Sequence, residues 1–121
     1  MGMYARVAGW LELDDEGLQK ALAIIRADAD GVEYTSSWLP QSVGGGYSRH
    51  LFFGSTVREP AVAELRAQVS RIASEASSED GGITDYPMGI FRVVYESEGV
   101  PTELWHIADG ALRIEKHARS A

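Results

Sequence analysis

Eight carboxylates and one base lie between Ile72 and Leu112: Glu75, Glu79, Asp80, Asp85, Glu96, Glu98, Glu103 and Asp109, against Arg92. Acids at this density point to three kinds of chemistry. They can transfer protons as a tuned pair, hold a cation, or present charge to a partner. A tuned pair needs two carboxylates in unlike environments, and plentiful exposed acids are no sign of one. A metal site would recruit histidines, but His50, His106 and His117 show neither HxH nor HxxxH spacing. There is no cysteine, which excludes disulfides, thiolate catalysis and cysteine-ligated metals. No catalytic metal and no cofactor are therefore expected. Ser36, Ser48 and Ser55 lack a GxSxG context. An acid/base histidine remains the enzymatic alternative: His50, beside Arg49, with a carboxylate such as Glu103, or else His106. The third use of the acids needs no constellation. A one-sign field attracts a partner of opposite sign and raises its on-rate.

The whole chain shares that sign. Its 121 residues hold 18 acids and 11 bases, for a formal charge of −7. Residues 1–60 carry five bases and eight acids, residues 61–121 six and ten. Such a surface repels phosphate backbones, so no direct nucleic-acid partner is expected. A basic protein fits, for example a nuclease with a basic cleft. Ordinary solubility charge is the plain alternative. The length suits a single domain spanning 1–121, and the 45% hydrophobic content is that of a globular protein. No apolar run reaches membrane-spanning length. No secretory leader is visible, and together with the missing cysteines this leads us to expect a cytoplasmic protein. Met1-Gly2 before Met3 reads as an expression-vector remnant, with Met3 the native start.

The elements that must position these residues follow from periodicity. Residues 3–13 alternate: Met3, Ala5, Val7, Gly9, Leu11 and Leu13 point one way, Tyr4, Arg6, Ala8, Trp10 and Glu12 the other. That is a half-buried strand. Asp14-Asp15-Glu16 opens a helix by capping it, Leu18, Ala21, Leu22 and Ile25 form its apolar stripe, and Gly31 is placed to end it. Val32–Leu39 reads as a second strand ended by Pro40. Gly44-Gly45-Gly46 leads into a strand near Tyr47–Ser55, so it reads as a connection and not as a phosphate loop. Pro60 fits the first turn of a second helix whose buried face is Val62, Leu65, Val69, Ile72, Ala73 and Ala76. Ser77–Asp85 is a polar loop. Strands follow near Met88–Glu96, Thr102–Ala108 and Ala111–His117, with Ser97-Glu98-Gly99 and Asp109-Gly110 as turns.

The order is β-α-β-β-α-β-β-β, an α+β fold with two helices on one face of a mostly antiparallel sheet. Its centre has the split β-α-β arrangement of ferredoxin-like domains. The other face lies open unless something covers it. It carries Tyr4, Arg6 and Trp10, and Trp105 or His106 joins them according to the parity of the fifth strand. Aromatics with arginine are typical interface anchors. The bland reading puts Trp10 and Trp105 at the core edge.

The opening Met3-Tyr4 strand ends in Gly9-Trp10 and is followed directly by an acid-capped helix. A Leu51-Phe52-Phe53-Gly54-Ser55 strand, an amphipathic helix through Ile72-Ala73, and Tyr86-Pro87-Met88-Gly89-Ile90-Phe91 entering an acid-ended strand come later. In these features the chain resembles the small Trp-containing immunity proteins of bacterial polymorphic toxin systems (immunity family seven). The family's acidic turn after the fourth strand is thinner and shifted here, as Tyr95-Glu96-Ser97-Glu98-Gly99. The resemblance implies a non-enzymatic protein that binds a cognate toxin in the cytoplasm and blocks its active site or substrate path. Its carboxylates would then stand where a nuclease toxin expects phosphates.

On this reading the partner-binding residues are Tyr4, Arg6, Trp10, Asp85, Glu96, Glu98, Glu103 and Trp105. Asp14, Asp15 and Glu16 are set aside because they already serve a helix start. Two other readings stand beside it. One is a small ferredoxin-like enzyme or ligand-binding domain with His50 or His106 at the sheet face. The other is a homodimer that pairs the open faces.

Overall fold

The computed structural model describes residues 3–29, 34–41, 48–78 and 84–118. Alternation in the first strand, β1 (Tyr4–Leu13), sorts its side chains as expected: Ala5, Val7, Leu11 and Leu13 are buried, while Tyr4, Arg6, Ala8 and Trp10 are exposed. Helix α1 (Asp15–Ala27) starts where the Asp14 carboxylate accepts a hydrogen bond from the Gly17 amide at 2.7 Å. This satisfies one orphan donor of the first turn. Leu18, Ala21 and Ile25 are its buried stripe.

The expected second strand is mostly something else. Thr35–Ser37 form a single 3₁₀ turn, and only Trp38–Pro40 extend as β2. Pro40 lies inside β2 and not after it, tolerated because β2 pairs with one neighbour and is an edge strand. The glycine run Gly44-Gly45-Gly46, the expected terminator Gly31, and Glu79 and Asp80 lie outside the described residues. Strand β3 (Arg49–Arg58) runs three residues beyond the expected end, and α2 (Ala61–Ala73) follows with Pro60 as its N-cap residue. Strands β4 (Met88–Tyr95), β5 (Thr102–Ala108) and β6 (Ala111–His117) complete the chain. Asp109 and Gly110, at φ 53° and 81°, make the two-residue hairpin turn between the last two.

The sheet has six strands in the order β2-β3-β1-β4-β5-β6, every pair antiparallel. The first four stand in the split β-α-β order, and β5-β6 extend that sheet as a meander. Both helices pack on one face. Their buried side chains form one cluster with the inward residues of the strands, so the α+β reading is correct.

One transverse row shows how that core is built. Register aligns Trp38, Phe53, Gly9, Phe91 and Trp105 across β2, β3, β1, β4 and β5. Trp38 meets Phe53 and Phe91 edge-on, at centroid distances of 5.0 and 5.8 Å, and Phe91 meets Trp105 at 6.0 Å. These are favourable aromatic geometries. Gly9 makes the row possible, because a side chain there would overlap the Phe91 ring and the Ile90 carbonyl. Each buried indole also has an acceptor. Trp38 Nε1 donates to Gln68 Oε1 at 2.8 Å, and the Gln68 amide donates on to Asp28 at 3.1 Å. Trp105 Nε1 donates to Glu103 Oε1 at 2.9 Å.

Candidate functional site

The face of the sheet away from the helices carries the even-numbered side chains of β1. Register places Phe52, Trp10, Ile90 and His106 in one row, with Leu39 at its β2 end and Arg113 at its β6 end. Leu39, Phe52 and Trp10 are 67%, 44% and 38% exposed, and Met88 in the next row is 56% exposed. These are large apolar groups gathered on one face, not scattered singly.

Beside that row the side chains on β3 and β1 are small. Gly54, Ala8 and Arg92 are paired across β3, β1 and β4. Gly54 has nothing within 4 Å on its side-chain side. The result is a shallow hollow of about 440 Å³ lined by Ala8, Trp10, Phe52, Ile90, Arg92 and Leu104, among others. Arg6 follows in the third row, aligned with Thr56 and Val94. The face thus has an apolar half and an arginine-bearing half.

The histidines also belong here. His50 Nδ1 lies 3.2 Å from Gln41 Oε1 and its ring stacks on Phe52 at 5.9 Å, while Nε2 is 3.8 Å from Glu12. His106 Nε2 is 2.8 Å from Glu115, and His117 reaches the same carboxylate. These two hydrogen bonds, His106 first, hold the Glu115 carboxyl below the usual range. His50 and His106 stand on strands separated by β1 and β4, about 14 Å apart at ordinary strand spacing. The pairing of His50 with Glu103 is overturned, because Glu103 points to the helix-covered face. Among the described residues no three His, Asp or Glu side chains converge on a common metal position.

The expected site residues separate into three groups. Tyr4, Arg6 and Trp10 share the open face as expected. Trp105 does not join them. It is fully buried, because β5 pairs Phe91 with Trp105 and turns His106 outward. Glu103 is likewise inside, 7% exposed. It accepts from Tyr95 Oη at 3.1 Å and Trp105 Nε1 at 2.9 Å, and lies 3.6 Å from Arg66. It is an acceptor for two core donors, not a rim acid. Burial first, and the Glu103 charge second, push the Tyr95 phenol up to about 12.

The remaining acids do not form one patch. Glu96 and Glu98 are exposed in the turn after β4, and the Glu96 amide bonds the Tyr4 carbonyl at 2.8 Å. Ser97 pins this turn by donating from its amide and hydroxyl to Glu59, at 3.0 and 2.9 Å. Asp85 precedes β4, bridged to Ser77. The eight residues of β4 put it about 25 Å from Glu96. There it shares a cleft of about 220 Å³ with Glu12, Asp14 and Glu75, where Asp14 is already engaged by Gly17 and Ser77.

Sequence reasoning missed Leu39, Phe52, Ile90 and Arg92 on the open face. The signal was present in the Leu51-Phe52-Phe53 run, but it needed the β1–β3 register to be read. Compared with models of known families, with characterised proteins and with solved structures, the chain finds no match.

Proposed function

We propose that this protein is an immunity protein that binds a cognate bacterial toxin and blocks it, acting as a binding partner and not as a catalyst. The observation that supports this reading best is the uncovered sheet face, where Trp10, Phe52, Leu39 and Ile90 form an apolar row on the side opposite the helices. Binding surfaces of this kind combine buried aromatic anchors with arginine and a polar rim. Tyr4 and Arg6 extend the row toward the Glu96–Glu98 turn, which gives it an acidic end. A basic, nuclease-type toxin seated on the face would meet its anchors at the centre and carboxylates at that rim. The charge then acts mainly on the rate of encounter. The site on this reading is Tyr4, Arg6 and Trp10 with Glu96 and Glu98. Asp85 would touch only a partner long enough to reach the other end of β4.

The test needs a candidate toxin, found by searching the genes beside this chain's own or by co-purification with the protein. Trp10→Ala should weaken its binding at least tenfold, mostly through faster dissociation. Glu96→Gln with Glu98→Gln should slow association and flatten its salt dependence. Unchanged affinity in the first variant and an unchanged salt slope in the second would refute the proposal.

A further inference from the structure

The open face is complementary to itself, and we infer that a second copy of this chain occupies it in the free protein. Strand register sets the match. Along β1 the outward side chains run Arg6, Ala8, Trp10, Glu12. A two-fold axis lying across the strands, between Ala8 and Trp10, reverses that order in the facing copy. Trp10 then sits over the partner's Ala8, and Glu12 faces the partner's Arg6.

The same axis treats the neighbouring strands alike, because register locks them to β1. On β3, Phe52 meets the partner's Gly54, the position whose side-chain side is empty. On β4, Ile90 lies against the partner's Arg92. On β6, Arg113 stands opposite the partner's Glu115. On β1 and β3 a bulky group thus faces a small one, and a cation faces an anion along β1 and on β6. Among the described residues neither Arg6 nor Arg113 has a carboxylate within 4.0 Å, so both guanidinium groups are available. Facing sheets pack about 10 Å apart with interdigitated side chains, a spacing that lets Trp10 and Phe52 fill the hollow over Ala8 and Gly54. The interface is isologous, so it closes at two copies.

This inference goes beyond the toxin reading and fails separately from it. The experiment is sedimentation equilibrium of the full chain over a concentration series, with circular dichroism to show that each variant is folded. The wild type should dimerise. Arg6→Glu should raise the dissociation constant at least about tenfold, by placing two glutamates opposite each other. Adding Glu12→Arg to that variant should restore dimerisation, since each swapped charge again meets its opposite. Gly54→Gln serves as a second probe, because its side chain enters open space in one copy and blocks Phe52 of the other. A wild type that stays monomeric across the series, an Arg6→Glu variant that dimerises like the wild type, or a double variant that is not rescued would each overturn the inference. A monomer whose open face is protected only when a candidate toxin is added would overturn the inference and assign the face to that toxin alone.

Discussion

Two rows of aromatic side chains lie one residue apart in register and on opposite faces of the same strands. The covered row is Trp38, Phe53, Phe91 and Trp105; the open row is Leu39, Phe52, Trp10, Ile90 and His106. Their compositions are alike, and the difference is in their polar edges. Each indole N–H in the covered row donates to a buried acceptor, Gln68 or Glu103, because an unpaired buried donor costs about 1–3 kcal/mol. Among the described residues Trp10 Nε1 has no such partner. At the surface it needs none, and its edge stays available to water or to another molecule. Similar side chains therefore sit in different settings, and the polar partner, more than the ring, distinguishes the core row from the exposed one.

The largest expected effect tests the covered row. Trp105→Ala should cost about 3–5 kcal/mol in denaturant unfolding. Gly9→Ala should cost about 3 kcal/mol, although it adds only a methyl group, because that methyl overlaps the Phe91 ring and the Ile90 carbonyl. If either loses less than about 1 kcal/mol, the aromatic row is not the centre of the core.

Glu103 sharpens the comparison from the polar side. Glu103→Leu strands the Trp105 and Tyr95 donors and should cost about 2–4 kcal/mol, whereas Glu103→Gln keeps an acceptor and should cost less. Equal losses would mean that the carboxylate serves its charge and not its hydrogen bonds.

Tyr95→Phe is expected to cost about 1 kcal/mol and to change the alkaline limb of stability. The folded phenol holds its proton up to about 12, against an ordinary value of 10. Between those pH values the unfolded chain loses a proton that the folded chain keeps. Stability present below pH 10 is therefore lost as pH rises through 12. Unfolding measured across that range should show a shallower decline in the variant. An identical decline would place the slope elsewhere. Smallest of all, Glu96→Gln with Glu98→Gln should leave stability within about 0.5 kcal/mol, since both acids are exposed.

Much of this arrangement was legible in the chain. The alternation of residues 3–13 fixed which face Trp10 takes, and Asp14 and Asp109-Gly110 declared a helix start and a hairpin through local chemistry. What failed depends on contacts distant in sequence. Nothing near Glu103 says that Tyr95 and Trp105 will turn inward with it, since Thr102–Ala108 can present either parity until it pairs with β4. The β2 segment misled because only Trp38–Pro40 find a strand partner, in β3, and the Trp38 indole is held by Gln68, thirty residues on. The acidic stretch was legible as composition but not as a surface, because a single strand carries its two ends apart.

The central claim is that the open face serves binding and the covered face serves stability. Urea unfolding of Trp10→Ala tests it most directly, measured on dilute protein so that self-association does not contribute. The account predicts a loss of about 1 kcal/mol or less, beside the 3–5 kcal/mol of Trp105→Ala. A Trp10→Ala loss in that larger range would show the open row to be part of the core and would contradict the division of labour between the two faces.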